Sequence, residues 1–157
     1  MKASKCFSEF LSRQEGWKHG AVLTLVCENS IHTPLVVLGA LAAGHIVSPA
    51  NPAYSADELR RQMRDSGSSI VVTQRPLLAT VLSVAESLGL PQERIVLLPD
   101  TQAPVSSSIR ECRAVELADI LSNPNPRGVD GGIDAQNDVA FLVYTSGTYV
   151  VSLFYID

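Results

Sequence analysis

Leu35-Val36-Val37-Leu38-Gly39-Ala40-Leu41-Ala42-Ala43-Gly44-His45-Ile46-Val47 contains the change of rhythm on which the fold turns. Leu35, Val36, Leu38, Leu41 and Ala42 belong to a helix entered through Thr33-Pro34, a cap followed by proline at the first helical position, and Gly44 stops it. Ile46-Val47 follows as a short strand. Upstream, residues 21–27 form a continuous apolar run, the pattern of a buried parallel strand, whose side chains meet apolar surroundings on both faces.

The alternation continues outward in both directions. Before the first strand, Phe7, Phe10 and Leu11 lie on one face of a helix that begins almost at Met1, and residues 16–20 turn the chain. After Val47, Ser48-Pro49-Ala50-Asn51-Pro52 is expected to be a rigid loop, because two prolines fix φ and push the residues before them towards extended geometry. Ser55-Ala56-Asp57-Glu58 is a capping box; Leu59 and Met63 give the buried side of its helix and Gly67 ends it. Residues 70–73 are a third strand. From Pro76, Leu77, Leu78, Val81, Leu82, Ala85 and Leu88 recur at helical spacing up to Gly89. Residues 94–98 are a fourth strand, 99–113 a polar Ser-rich stretch, 114–121 a short helix, 123–136 a surface loop with two prolines and three glycines, and 139–144 a last strand. Strands and helices in turn predict an α/β fold, a mainly parallel sheet covered by helices, with right-handed crossovers.

A chain of 157 residues is about one domain, and 46% apolar against 18% charged residues places it in the globular class. The net charge of −4 offers no field for nucleic acid or an anionic membrane surface. Cys6, Cys27 and Cys112 sit at wide, motif-free spacings and read as free thiols in a reducing compartment. His19, His32 and His45 lack the close partners of a metal site, so no metal ligands are expected. Residues 35–47 are too short and too interrupted by glycine for a membrane span, and no apolar signal core follows the N-terminus. The expectation is a cytoplasmic protein.

Ligands of parallel sheets collect beyond the carboxyl ends of strands. The last strand runs there into Thr145, Ser146, Gly147 and Thr148, three hydroxyls and a glycine whose backbone N–H groups can turn towards an anion. From the residues alone, a hydroxyl-rich turn ending a strand explains them as well. A Walker-type loop is excluded, because no Gly-Lys-Ser/Thr follows Gly147. Asn51, Tyr54 and Glu58 are better explained by a turn and a helix cap than by a site, and His45 reads as a partly buried strand-entry residue.

Residues 38–59, from Leu38-Gly39-Ala40 through Ser48-Pro49-Ala50-Asn51-Pro52-Ala53-Tyr54 to Leu59, resemble the second core motif of adenylate-forming enzymes, in particular 4-coumarate–CoA ligase-like proteins, luciferase and acyl-CoA synthetases. Ser66-Gly67 and Ile70-Val71-Val72-Thr73-Gln74 are similar to the strand that follows there. Residues 138–148 resemble the start of the phosphate-binding motif Thr/Ser-Ser-Gly-Thr-Thr-Gly-x-Pro-Lys-Gly. The resemblance implies that residues 1–148 are part of the large N-terminal AMP-dependent synthetase/ligase domain. It also implies ATP, Mg2+ and coenzyme A as cofactors, and a small carboxylic acid that is adenylated and then passed to the thiol. Thr145, Ser146, Gly147 and Thr148 would hold the β- and γ-phosphates of ATP.

The departures matter equally. Where the motif continues Thr-Gly-x-Pro-Lys-Gly, this chain has Tyr149-Val150-Val151-Ser152-Leu153-Phe154. The family's adenine, ribose and magnesium ligands and its catalytic lysine have no counterpart in the 157 residues, so the polypeptide alone is expected to be inactive. Residues 149–157 form an apolar tail, read either as a replacement edge strand or as non-homologous sequence entered by a missed splice or frameshift. Its β-prone composition predicts self-association. Besides a ligase fragment, the sequence allows a non-catalytic interaction protein docking on a full-length relative and, third, a small phosphate-binding module. The C-terminal Tyr155-Ile156-Asp157 is not a peroxisomal address.

Overall fold

The structure, a computed structural model, describes residues 2–99 and 112–145 and the backbone of residues 151–153. Helix α1 (Lys2–Ser12) leads to β1 (Val22–Val26), α2 (Thr33–Ala42), β2 (Ile46–Ala50), α3 (Ala56–Ser66), β3 (Ser68–Thr73), α4 (Leu78–Leu88) and β4 (Ile95–Leu97). Then follow β5 (Val115–Glu116), α5 (Leu117–Leu121), β6 (Leu142–Tyr144) and β7 (Val151–Leu153). Strands β1 to β5 form one wholly parallel sheet in the order β2-β1-β3-β4-β5. From β1 the chain goes outward to β2 and then returns across to β3. The order therefore reverses between β1 and β3, where a doubly wound sheet opens its crevice.

The apolar runs are explained by burial on both faces. Leu23, Leu25, Val47, Ile70, Val72 and Val96 point to one side, into a cluster with Phe7, Leu11, Val36, Ala40 and Leu117. Val26, Val71, Ile95 and Leu97 point to the other, against Leu59, Met63, Leu78, Val81 and Ala85. Successive strand residues alternate between the layers, as a pleated strand requires. Thus α1, α2 and α5 cover one face and α3 and α4 the other. Gly39 lets α1 lie close on α2, since a Cβ there would come within 2.8 Å of the Ser4 carbonyl oxygen and 3.0 Å of Phe7.

Helix α3 forms as its sequence predicts. The Glu58 N–H donates to Ser55 Oγ, the Ser55 N–H donates to Glu58 Oε2 at 2.8 Å, and Gly67 closes the helix in the left-handed region at φ 66°. On this side the buried Gln62 amide is half satisfied: Nε2 donates to Ser48 Oγ and to the Pro49 carbonyl, while Oε1 has no partner.

Three sequence expectations need correction. Thr33 is not a cap: α2 starts at Thr33 itself, with His32 before it in helical geometry and no side chain bonding the free N–H groups. The Thr33 hydroxyl instead lies 3.8 Å from Cys27 Sγ. Ser48-Pro49-Ala50 is not loop but the second half of β2, in register with Thr24, Leu25 and Val26. Proline is tolerated there because N–H groups on a strand alternate in direction. Ile46 donates inward to Ala21 and Val47 outward to Ala140, so Pro49 lacks only an outward donor. Finally, Val115 and Glu116 belong to strand β5 against β4, and only Leu117–Leu121 is helical. The ion pair between Arg75 and Glu116 fastens this short edge strand.

Candidate functional site

Strand β6 reaches the sheet through one parallel bridge, Val47 to Phe141, with the Val47 N–H donating to the Ala140 carbonyl at 2.9 Å. The next outward donor on β2 would be residue 49, and Pro49 has none, so the ladder stops after one rung. Three residues past the bridge both strands end, β2 at Ala50 and β6 at Tyr144. Thr145 follows, exposed, at the carboxyl edge of the sheet. Ser146, Gly147 and Thr148 lie outside the described residues. On its other side β6 pairs antiparallel with β7, Leu142 with Leu153 and Tyr144 with Val151, so part of the tail is an edge strand.

A side chain that the sequence reading missed ties this strand end to α3. The Tyr144 hydroxyl donates to Asp65 Oδ2 at 2.5 Å across 79 residues. Partial burial first, and then the carboxylate beside it, push the phenol above its ordinary range. No periodicity could have paired these two residues, since each looks like an ordinary surface position of its own element.

The same edge carries the reversal point between β1 and β3. There the Glu28 N–H donates to Gln74 Oε1 at 2.9 Å, bridging the exits of the two strands. The Thr73 hydroxyl, at the end of β3, is buried with no hydrogen-bond partner. Asn51 makes a turn, its Oδ1 accepting from the Ala53 N–H and its carbonyl from the Tyr54 N–H. Glu58 is held in its capping box, where bonds from Ser55 keep its carboxyl below the usual range. One oxygen of each side chain is thus taken up by local structure.

At the opposite, amino edge lies a second polar cluster. His19 Nδ1 is 3.0 Å from the Gly131 carbonyl oxygen and Nε2 is 2.9 Å from Asp138 Oδ2, which also accepts from the Asp134 N–H. Asp138 first, and then Gly131, hold the imidazole pKa above its ordinary value, while His19 depresses that of Asp138. A cavity of about 390 Å3 lies here, lined among others by Leu41, His45, Ile46, Ile133 and Val139. His45 is fully rather than partly buried; burial lowers its pKa, opposed by the Ala43 carbonyl, and its Nδ1 has no partner. Among the described residues no group of three His, Cys, Asp or Glu side chains could hold a metal ion, and no helix is long and apolar enough to cross a membrane. Cys6, Cys27 and Cys112 are free.

The family described as AMP-binding enzyme matches residues 1–149. This chain belongs to it. Within the AMP-binding enzymes it is 31% identical over 143 residues to a peroxisomal OPC-8:0-CoA ligase of Arabidopsis thaliana, covering 91% of this chain and 23% of that protein. It is 30% identical over 135 residues to a 4-coumarate–CoA ligase-like protein of the same plant, covering 85% of this chain and 23% of the other. An acyl-CoA synthetase of Brucella canis superposes with a TM-score of 0.74 at 16% identity, over 94% of this chain and 25% of its own, so the fold is shared. The chain spans about a quarter of the length of these relatives.

Proposed function

We propose that the chain contributes the amino-terminal part of the catalytic domain of an acyl- or aryl-CoA ligase, acting in the cytoplasm on a small carboxylic acid. The observation that carries this reading is the placement of Thr145, exposed at the carboxyl edge directly after β6, in a chain of the AMP-binding family. Thr145, with Ser146, Gly147 and Thr148 after it, would hold the β- and γ-phosphates of Mg-ATP. The donor set suits that task, since short hydroxyl side chains and a glycine leave backbone and side-chain donors free to meet an anion. Bound Mg-ATP would supply an α-phosphorus for the carboxylate, with pyrophosphate leaving and coenzyme A later displacing AMP. The chain's own residues serve by position. Tyr144 and Asp65 fix where the chain leaves the sheet, and the hydroxyls of Thr145, Ser146 and Thr148 would stabilise charge on the departing phosphates.

In place of Thr-Gly-x-Pro-Lys-Gly the chain carries Tyr149-Val150-Val151-Ser152-Leu153-Phe154, without the glycines and lysine that complete such a site. The 157-residue polypeptide is therefore expected to give no ATP–pyrophosphate exchange above background with a panel of fatty and aromatic acids, and exchange by the purified polypeptide would overturn this part of the reading. The transcript tests the rest. Reads running from Thr148 into Thr-Gly-x-Pro-Lys-Gly and a long further domain support a ligase, whereas a message that only ever encodes Asp157 as its last residue counts against one.

A further inference from the structure

Both partners of His19 are acceptors. A carbonyl oxygen faces Nδ1 and an ionised carboxylate faces Nε2, at 3.0 and 2.9 Å. A neutral imidazole has a single N–H, so it can donate to one of them while its other nitrogen sets a lone pair against oxygen. Only the imidazolium donates to both. Residues 131–138 have few other ties to the sheet body among the described residues, chiefly the close approach of Gly131 to the end of α2. Ile133, which could have anchored them, is half-exposed, and the cavity of about 390 Å3 occupies the place of a packed interior. Beyond His19, the described bonds from this region to the sheet body are the Gly131 N–H to the Ala42 carbonyl and, further on, the Val47 N–H to Ala140.

We propose that protonated His19 is a latch that fastens residues 131–138 to the amino edge of the sheet, and that loss of its proton releases this segment, the lead-in to β6. The charged groups around the latch are few. Asp138 faces it directly, Asp134 and Asp130 lie on the same loop with their carboxylates turned to backbone N–H groups, and Lys18 precedes it in the chain. From the α2–β2 turn comes His45, whose pKa burial lowers against the opposing pull of the Ala43 carbonyl. No other charge is needed for the pH response.

The direction follows from the two partners. His19 is raised above its ordinary 6.5, so its contribution is full below pH 6.5 and fades as pH rises through the higher folded value. Asp138 is depressed below 3.8, so its share is present above pH 3.8 and fades as pH falls through the lower folded value. The latch is closed between those limits and opens on the alkaline side.

Amide exchange of the intact chain, corrected for intrinsic rates, tests this. Protection over residues 131–138 should fall about three- to tenfold between about pH 6 and about pH 8.5, the size of one hydrogen bond's net contribution. In His19→Gln, protection there should already be low and should not change with pH. In Asp138→Asn, the His19 ring, followed by NMR, should titrate at lower pH than in the unaltered protein. A flat pH response in the unaltered chain, the same fall in His19→Gln, or a His19 midpoint unmoved by Asp138→Asn would each overturn the latch. Any consequence for the Thr145 loop rests on the ligase reading; the exchange measurement does not, so the two can fail separately.

Discussion

In β1 every residue from Val22 to Val26 is buried, whereas in β6 Leu142, Val143 and Tyr144 are each only half-buried. The first strand is clamped between two apolar layers and hydrogen-bonded on both sides. Among the described residues the second is held by one bridge to Val47, the packing of the adjoining Phe141 on the apolar cluster, one hydroxyl contact to Asp65 and a two-strand ribbon. Non-directional burial dominates in the sheet body, whereas the segment that carries the candidate site leans more on a handful of directional bonds. Regions of the second kind yield first in local opening, which is where binding loops are commonly found.

The contrast can be broken most severely from the buried side. Phe7→Ala, at a site with no exposure beneath the sheet, is expected to cost about 3–5 kcal/mol in urea unfolding; a loss under about 1 kcal/mol would show that α1 is not part of the core. Gly131→Ala comes next. A Cβ there would lie 2.6 Å from the Gly44 nitrogen and 2.8 Å from the Ala43 carbonyl carbon, both backbone atoms that cannot swing aside. About 1–3 kcal/mol is expected, visible as lost exchange protection confined to residues 131–138, and unchanged protection would mean that the segment does not rest on α2. Tyr144→Phe should cost about 0.5–1.5 kcal/mol, the worth of one hydrogen bond. It should also remove a late-ionising component from the ultraviolet tyrosine titration, because the phenol is raised and stays protonated beyond its ordinary range. The smallest effect belongs to Ile133→Ala, expected within about 0.5 kcal/mol because the side chain is half-exposed. A larger loss would place Ile133 in the core and erase the distinction.

The same division governs what the sequence reveals. The parallel sheet was legible because residues 21–27 and 70–73 are apolar runs relieved only by Thr24 and Thr73, and because Gly44, Gly67 and Gly89 punctuate the helices. Burial leaves a local pattern. The extension of β2 through Pro49 was not legible, since a proline counts against a strand until its neighbours show which way its missing donor points. The start of β5 at Val115 was hidden for a related reason: two residues are too few to display a period. Of the candidate site, the strand and Thr145 could be read, but not Asp65 or Gln74, whose roles arise from partners 79 and 46 residues away. In the sequence His19 lacks the spacing of a metal ligand, and Asp138, 119 positions later in the numbering, gives no sign of being its partner.

Pro49 also has a mechanical meaning. Where other neighbouring strands in this sheet share a run of rungs, β2 and β6 share one, so a load applied along the chain at Tyr144 would not be spread over several bonds sheared together. It would fall on the single link at Val47 and then on the Tyr144–Asp65 contact, and the sheet would part along this seam while β1 to β4 stayed whole. A missing hydrogen atom on one backbone nitrogen thus sets the line along which the molecule tears.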